Sequence, residues 1–328
     1  MTNRKKKYDV VALGELLIDF APAGSSAGGY PLFEANPGGA PANVLTAVTR
    51  QGGRAAFIGK VGEDAFGRLL EGTLRDCSID TGGLRIDPDV RTTLAFVSLD
   101  ETGNRSFSFF RNPGADYMLT PEEVDVALIR QANIFHFGSL SLTHEPARSA
   151  THYALEMAKE SGAVISYDPN LRPPLWDNLD TAREQILSCM PSADIVKISD
   201  EEFTFLTGED DYASHAPAFA ERYGISLLFI TLGPGGAYYH CNGHSRAVPT
   251  YDVEVVDTTG SGDAFIGAAL GRISREGLDL STIGDEALLE LTSFANASGA
   301  LTARAKGAIP AIPGTEMILD CMRDGKIG

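Results

Sequence analysis

Asp257-Thr-Thr-Gly-Ser-Gly-Asp263, followed by the small-residue run Ala264 to Leu270 (AFIGAAL), is the stretch that decides most about this fold. It predicts a helix that begins where the glycines end. The N–H groups and positive dipole end of a helix N-terminus suit the negative charge of a transferring phosphoryl group. Asp263, in the first turn, is placed to accept a proton from an attacking hydroxyl. The stretch alone equally allows a glycine turn in which Asp263 only caps the helix.

A second glycine cluster, Pro37-Gly38-Gly39-Ala-Pro-Ala-Asn43, also leads into a predicted helix and follows soon after Asp19. Its glycines allow a ligand to approach the backbone closely. Asp19 at the end of a strand and Asn43 in the first turn of a helix can both hydrogen-bond sugar hydroxyls, as a neutral polyol requires. Alone, Asn43 could be a helix cap and Asp19 a surface acid, so the sugar-site hypothesis depends on their combination.

The rest of the chain alternates between strand and helix patterns. Tyr8 to Phe20 is predicted to be a buried strand followed by a loop over Ala21 to Gly29, and Pro41 to Arg50 and Asp64 to Asp76 are predicted helices. This alternation favours βαβ units around a mainly parallel sheet. Further strands are predicted at Ala55 to Lys60, Asn133 to Phe137, Ala163 to Asp168, Asp194 to Ile198 and Leu227 to Leu232. No repeat or linker divides the chain, so residues 1–328 are predicted to form one domain.

A hairpin interrupts the α/β alternation. Thr92 to Leu99 and Arg105 to Phe110 are β-rich and are joined by Asp100 to Asn104, a turn that contains Gly103. Together with extended residues around Tyr30 to Glu34, this hairpin is expected to form a small sheet over the site, a lid made by about 21–35 and 91–112. Lids that exclude water serve transfer chemistry, although the insertion could also be decoration.

Composition excludes several classes of function. Lys and Arg total 27 against 44 Asp and Glu, a formal charge of −17, so nonspecific attraction to nucleic acid or anionic lipid is not expected. The four cysteines form no Cys-x-x-Cys pair, and the six histidines show no HExxH spacing. No apolar run approaches the ~18 residues of a membrane span. A soluble, cytoplasmic protein is expected.

Two long segments carry a family resemblance. Residues 38–67 (GGAPANVLTAVTRQGGRAAFIGKVGEDAFG) and 257–270 (DTTGSGDAFIGAAL) are similar to the two signatures of the ribokinase-like, or PfkB, carbohydrate kinases. The similarity extends from GELLIDF at 14–20 to KGAIPAIP at 306–313. It implies a three-layer α/β/α sandwich with a mainly parallel central sheet and a β-sheet lid. It also implies ATP as phosphoryl donor, with Mg²⁺ bridging its phosphates.

The resemblance also implies roles for individual residues. Asp263 resembles the general base of the family, and the anion hole would be formed by Gly260, Ser261 and Gly262. The sugar contacts would come from Asp19, Gly38, Gly39 and Asn43.

The implied nucleotide site combines three parts of the chain. Thr231-Leu-Gly233-Pro-Gly-Gly236 resembles the nucleotide-binding strand and loop, and Asn296 lies in the helix that usually borders the adenine. Lys197-Ile-Ser199-Asp-Glu-Glu202 resembles the Asn-x-x-Glu element near the phosphates and magnesium, with Ser199 in place of Asn. This departure leaves Glu202, in an indirect role toward Mg²⁺, better supported than Ser199.

A potassium site is a further hypothesis. Asp257, Thr259 and the backbone near Gly307 occupy positions where many relatives bind K⁺ beside the anion hole. Alternatively, Asp257 only braces the loop through hydrogen bonds.

The sugar is narrowed to two candidates. Asp168-Pro-Asn-Leu-Arg172-Pro-Pro-Leu-Trp176 and Phe109-Phe-Arg111-Asn-Pro-Gly-Ala-Asp116 resemble fructokinase segments, but similar strings occur in 2-keto-3-deoxygluconate kinases. In those acid-sugar enzymes lid tyrosines commonly join arginines in holding the carboxylate. Phe96 and Phe109 appear at the corresponding positions and offer no hydroxyl, which favours neutral fructose. Arg111 and Arg172 are candidate substrate contacts that favour the acid sugar, unless they pair with neighbouring aspartates.

The prediction is therefore an ATP-dependent sugar kinase that phosphorylates fructose, with 2-keto-3-deoxygluconate as the alternative substrate. A further hypothesis is a catalytically silent relative that binds sugar or nucleotide in order to regulate a partner. The lid is expected to leave an apolar face that a second subunit covers, giving a homodimer.

Overall fold

The computed structural model describes residues 6–99 and 105–325, except for the side chains of 97–99 and 105–107. The predicted hairpin turn Asp100 to Asn104 lies outside the described residues. The strands are, in chain order, β1 Tyr8–Leu13, β2 Leu17–Ser25, β3 Pro31–Gly38, β4 Ala55–Gly62, β5 Ile79–Asp87, β6 Leu94–Leu99, β7 Arg105–Phe110, β8 Ala132–Gly138, β9 Val164–Asp168, β10 Ile195–Ser199, β11 Leu227–Thr231, β12 Ala237–Cys241 and β13 His244–Val248. The α-helices are α1 Ala40–Arg50, α2 Ala65–Asp76, α3 Val126–Arg130, α4 Ala147–Glu160, α5 Leu179–Cys189, α6 Asp200–Thr207, α7 Tyr212–Tyr223, α8 Ser261–Glu276, α9 Asp285–Thr302 and α10 Thr315–Asp324.

The central sheet has nine strands in the order β13-β12-β11-β10-β9-β8-β1-β4-β5. All neighbours from β11 to β5 run parallel, and only β12 and β13 pair antiparallel at one edge. Parallel strands need crossover connections, and the helices between them supply these. The predicted strands of the central sheet are confirmed within one or two residues at most ends.

Two apolar cores lie on opposite faces of this sheet. On β1, Val11 and Leu13 pack in one core with residues of α3 to α7, while Val10 and Ala12 pack in the other with residues of α1, α2, α8 and α9. Successive side chains of a strand point to opposite faces, so a strand covered on both sides is apolar throughout. The predicted three-layer α/β/α sandwich is confirmed.

The second sheet has four strands in the order β3-β2-β6-β7, which confirms the predicted small sheet. Its register pairs Asp19 with Ala95 and Phe20 with Phe96. The chain enters this sheet after β1 and again after β5, so both insertions leave the central sheet at the carboxyl ends of parallel strands.

One boundary prediction was wrong. Tyr8 to Phe20 is not one strand, because the chain leaves the central sheet at Gly14 and continues in the small sheet from Leu17, through much of the predicted loop. Gly14 has φ 157°, and a Cβ there would lie 2.7 Å from the side chain of Pro41. Asp19 is therefore inside a strand of the small sheet and not at the end of a core strand.

Within the described ranges, no helix is both long and apolar enough to cross a membrane. The carboxyl ends of β9 and β10, the N-termini of α1 and α8 and the small sheet converge on one region. Ligands of open α/β sheets bind at such strand ends.

Candidate active site

Helix α8 begins directly after the glycine turn. Gly260 has φ 79°, and a Cβ there would come within 2.6 Å of the Ala308 side chain, so this position requires glycine. Ser261, Gly262 and Asp263 form the first turn. The N–H of Ser261 donates to the carbonyl of Thr258 at 3.2 Å, whereas the N–H groups of Gly262 and Asp263 have no earlier turn of helix to bind. This turn can hold an anion, as the sequence predicts for Gly260, Ser261 and Gly262.

The Asp263 carboxylate is buried and held from two sides. Nδ2 of Asn43, from α1, donates to Oδ2 at 2.8 Å, and Nδ2 of Asn170, after β9, donates to Oδ1 at 3.3 Å. Burial raises the pKa of Asp263, while the Asn43 hydrogen bond and the Lys197 charge act in the opposite direction. A fixed carboxylate with a raised pKa is suited to accept a proton near neutral pH.

A buried lysine lies next to this turn. Lys197, on β10, contacts both carboxylate oxygens of Asp168, on β9, at 3.0 and 3.2 Å. A Cβ on Gly262 would lie 3.0 Å from Nζ of Lys197. Burial alone would lower the pKa of Lys197, but nearby carboxylates, that of Asp168 foremost, raise it, so the side chain is an ammonium ion. Positive charge therefore lies against the backbone of the anion-binding turn.

The predicted sugar contacts meet beside Asp263. A Cβ on Gly38 would lie 2.7 Å from Oδ2 of Asp19, so glycine leaves the space beside this carboxylate open. Gly39 caps α1 with φ 124°. Burial raises the pKa of Asp19 to about 6, the Arg172 charge opposes this, and the Asp257 and Asp263 charges add to it. Asp19 and Asp263 thus line one cleft.

The two phenylalanines of the small sheet lie on different faces. Phe109 pairs with Ala95 and hence shares a face with Asp19. Phe96 lies on the opposite face, stacked on Phe20 with ring centroids 4.7 Å apart and in edge contact with Phe110 at 5.3 Å. The geometry brings Phe109 toward the cleft, but it does not bring Phe96 there.

The two arginines also differ. Arg111 is buried in an ion pair with Asp116, with Nη2 2.6 Å from Oδ2 and side-chain exposures of 4% and 1%. Its other N–H groups donate to Thr143 and to the carbonyl of Leu140. Arg172 is exposed, and its charge partly opposes the rise that burial causes in the pKa of Asp19 and of Asp263. Arg172 forms no salt bridge with any carboxylate of the residues that the structure describes, so of these two arginines it alone presents an unpaired charge to the cleft.

A separate cavity of about 410 Å³ opens on the other side of the glycine turn. It is mainly apolar and is bordered by β11, the loop before α8, and α9. The predicted nucleotide-binding residues Thr231, Gly233, Gly236 and Asn296 line it, together with Ser261 and Gly262. Asn296 is oriented by hydrogen bonds from Nδ2 to the carbonyls of Val248 and Pro249 at 3.0 and 3.2 Å. The cavity has room for a purine nucleoside and ends at the anion-binding turn.

Ser199 and Glu202 form a capping box at the start of α6. Oγ of Ser199 accepts from the N–H of Glu202, and Oε2 of Glu202 accepts from the N–H of Ser199 at 2.8 Å. Oε1 of Glu202 accepts from the N–H of Leu171 at 2.7 Å. Both carboxylate oxygens are thus engaged by backbone, which fits an indirect role toward a metal better than direct ligation.

The residues of the predicted potassium site come together. Oδ1 of Asp257 accepts from the backbone and hydroxyl of Thr259 at 2.9 and 2.7 Å, and Oδ2 accepts from the N–H of Gly307 at 3.2 Å. These hydrogen bonds match the bracing alternative, in which Asp257 holds the loop. Across residues 6–99 and 105–325, no group of three or more His, Cys, Asp or Glu side chains could hold a metal ion.

Sequence reasoning missed two contacts of this site. The roles of Asn170 toward Asp263 and of Asp168 toward Lys197 were not predicted, although both residues lie in the quoted Asp168-Pro-Asn-Leu-Arg172 segment. Asn170 has φ 50°, a conformation in which asparagine is enriched. An Asp-Pro-Asn at the end of a predicted buried strand was the available signal.

An apolar cavity that ends at Gly262, and an acidic cleft that begins with the next residue, Asp263, are the arrangement of a phosphotransferase site on an α/β scaffold. The family model described as pfkB family carbohydrate kinase matches residues 7–314, and the chain belongs to this family. The resemblance inferred from the two glycine-containing segments is thereby confirmed.

The similar proteins include several fructokinases. The chain is 51% identical to Fructokinase-1 of Zea mays over 93% of this chain and 94% of that protein. The crystal structure of fructokinase with bound ATP from Xylella fastidiosa superposes with a TM-score of 0.87 at 32% identity, covering 97% of this chain and 99% of that one. Fructokinase from Vibrio cholerae O395 in the fructose, ADP and calcium ion bound form gives 0.83 at 35% identity, covering 95% and 98%.

Proposed function

We propose that this protein transfers the γ-phosphoryl group of ATP to fructose and releases fructose 6-phosphate and ADP. The observation that carries the proposal is the position of Asp263, which directly follows Gly262 of the cavity lining and is held by Asn43 and Asn170. The fructokinases to which the chain is similar support fructose as acceptor and ATP as donor.

In the proposed reaction the 6-hydroxyl oxygen of fructose attacks the γ-phosphorus. The new O–P bond forms as the bond to the bridging β,γ oxygen breaks, and the electron pair of that bond leaves with ADP. Asp263 takes the hydroxyl proton and later releases it to solvent. The first turn of α8 and the Lys197 ammonium neutralise charge on the transferring group, so that catalysis comes mainly from positioning and electrostatics.

Metal ions are part of the proposal. Mg²⁺ held by the nucleotide phosphates would supply charge neutralisation, and Glu202 fits an indirect part because its oxygens orient Ser199 and Leu171. Potassium near Asp257, Thr259 and Gly307 remains a hypothesis, supported by their convergence. Rates measured in potassium and in a bulky organic cation at equal ionic strength would test it, since equal rates contradict an ion.

The contacts of Arg111 favour a neutral sugar over 2-keto-3-deoxygluconate. A carboxylate bound there would have to compete with Asp116, which already forms a buried ion pair with the guanidinium. Phe109, the phenylalanine on the face of Asp19, has no hydroxyl to assist. A site that offers no matching donors discriminates strongly against a substrate carboxylate.

A coupled ADP-release assay with fructose, 2-keto-3-deoxygluconate, ribose, tagatose and adenosine tests the function. We expect fructose to give the highest kcat/KM. A preference for 2-keto-3-deoxygluconate would overturn the choice of sugar, and adenosine turnover would indicate a nucleoside kinase. No turnover with any sugar, despite binding, would support a silent regulator.

We also propose that the small sheet acts as a lid and as a dimer interface. Four large apolar side chains of this sheet and its β2–β3 connection are exposed: Tyr30 (74%), Leu32 (45%), Phe33 (42%) and Phe110 (65%). Such an apolar surface suits a second copy of the chain. Light scattering that shows only monomer at micromolar concentration would contradict the dimer.

A single domain and a cytoplasmic location are further parts of the proposal. The location is supported by the four free cysteines.

A further inference from the structure

The carboxyl end of β9 contains a buried ion pair. Asp168 is 2% exposed and accepts from Lys197 of β10 through both oxygens, at 3.0 and 3.2 Å. The Lys197 side chain is 8% exposed. Removing two charges from water costs about as much free energy as their attraction returns, so a buried pair is weak evidence for a stabilising role. The location of this pair suggests a different role.

Lys197 lies against the anion-binding turn. Because a Cβ on Gly262 would come within 3.0 Å of Nζ, the ammonium is next to the first-turn backbone of α8. Gly262 also lines the apolar cavity. A phosphoryl group at the end of that cavity would therefore meet the N-terminus of α8 and the lysine charge together.

The same strand end also holds Asp263. Asn170 follows Asp168 by two residues and donates to Oδ1 of Asp263 at 3.3 Å. One short segment thus contacts the lysine through Asp168 and the carboxylate through Asn170. Any movement of this segment would change the distance between the two functional groups.

We propose that Asp168 is a positioning residue that acts through Lys197, holding the ammonium against Gly262 and away from the Asp263 carboxylate. The proposal rests on the proposed function. The Lys197 ammonium can then neutralise negative charge on the transferring phosphoryl group. The Asp263 carboxylate, without a direct ion pair, can accept the hydroxyl proton.

The charges around the site indicate what happens without Asp168. Lys197 interacts with Asp168, Glu202 and Asp263, and Glu202 already binds two backbone N–H groups. Asp263 is therefore the carboxylate left to attract the lysine. The charged groups that face Asp263 are Lys197, Arg172, Glu202, Asp168 and Asp19. A direct pair with Lys197 would lower the pKa of Asp263, whereas loss of the lysine would raise it.

Asp168→Asn keeps the size of the side chain and removes its charge. We expect kcat to fall about 10- to 100-fold, the scale of loss when a catalytic group is displaced by an ångström. KM for fructose should remain within about twofold, because the sugar cleft is unchanged. The acidic limb of the pH profile of kcat should move to lower pH in Asp168→Asn and to higher pH in Lys197→Met.

A double-mutant cycle separates positioning from an independent role. If Asp168 acts through Lys197, the double variant Asp168→Asn/Lys197→Met should be no slower than Lys197→Met alone. Losses that multiply would overturn the proposal, as would a reduced melting temperature with unchanged kcat and pH profile. Asp168→Glu, which restores the charge, should recover part of kcat and serves as the second variant if Asp168→Asn does not fold.

The wild-type protein keeps this test separate from the proposed function. If it phosphorylates a sugar other than fructose, the choice of substrate fails, and the same cycle is measured with that sugar. If it phosphorylates no sugar, the proposal that Asp168 serves catalysis fails together with the function. Fructose turnover combined with multiplicative losses would overturn only the role of Asp168.

Discussion

Nδ2 of Asn43 donates a hydrogen bond to Oδ2 of Asp263 at 2.8 Å, although the two residues are 220 positions apart in the chain. The bond joins the first turn of α1, which follows the Gly38-Gly39 cluster, to the first turn of α8. The sequence predicts Asn43 as a sugar contact, while the structure uses its amide to orient the proposed base. The two glycine clusters thus form one site through a direct contact between their helices.

Replacing Asp263 with Asn tests the base. The amide has nearly the same shape but cannot take the hydroxyl proton, so kcat should fall about 10²- to 10⁴-fold. KM for fructose should change much less, since Asp19 and the Gly38 backbone are unaffected. Steady-state kinetics of purified Asp263→Asn, with melting temperature as a control for folding, checks this. Near-normal turnover would refute the assignment.

Asn43→Asp changes the environment of Asp263 without changing its chemistry. A second carboxylate at hydrogen-bonding distance disfavours ionisation, so the pKa of Asp263 should rise further. Activity of the variant should then be lost at low pH and recover as pH increases, with its acidic limb above that of the wild type. Asn43→Ser is the neutral control, for which a smaller shift is expected. Profiles that coincide for all three proteins would contradict the contact.

The central sheet could be predicted because its strands are apolar on both faces. β1 is a continuous apolar run from Tyr8 to Leu13, and the helices around it have apolar residues at helical spacing. The exit from this sheet could not be located, since Leu17 and Ile18 continue the apolar pattern into another sheet. Only the requirement for glycine at position 14, beside Pro41, reveals the break, and that contact is tertiary.

The parts of the site that require a special backbone conformation could be predicted from the sequence. The parts that depend on which side chains contact each other could be predicted less well. The glycine turn before Asp263 requires special conformations that leave a mark in the sequence. The sequence does not decide how charged side chains pair: it allows Arg111 either to contact the substrate or to pair with Asp116, and the structure shows the pair. Phe96 was misplaced because assigning a strand residue to a face requires the register to within one position.

Two glycines at the ends of α8 offer a matched comparison. Gly260 and Gly277 flank the helix with φ 79° and 65°, so alanine is strained at both positions. A Cβ at Gly277 would meet nothing within 4 Å, while one at Gly260 would contact Ala308 at 2.6 Å, beside the Asn43 amide. Gly277→Ala should cost about 1 kcal/mol of stability and keep normal kcat. Gly260→Ala should lose kcat more than tenfold, about the effect of disturbing an anion hole.

Kinetics and thermal unfolding of both variants decide whether the turn is functional. If Gly260→Ala loses stability but retains kcat, the turn serves only to start the helix. Equal losses of kcat in the two variants would show that activity follows the integrity of α8 as a whole.

Glu15 gives a prediction about stability and pH. It is buried beside the junction of the two sheets, and its Oε1 accepts from the N–H of Ala40 at 2.9 Å. Burial raises the pKa of Glu15 from 4.5 to about 7. Because the folded state then binds a proton more tightly than the unfolded state, Glu15 should reduce the free energy of unfolding as pH rises from about 4.5 to about 7.

Glu15→Gln removes this titration and keeps the oxygen that accepts from Ala40. Relative to the wild type, the variant should gain about 3 kcal/mol of stability between the lower and the upper end of that pH range, since one pKa unit corresponds to about 1.4 kcal/mol. Urea unfolding of both proteins at several pH values measures the difference. Asp125→Asn, at the partly exposed N-cap of α3, removes a carboxylate elsewhere on the protein and serves as the comparison variant. If the stabilities of Glu15→Gln and the wild type change equally with pH, the prediction is contradicted. The pKa of Glu15 would then be the same in the folded and the unfolded state.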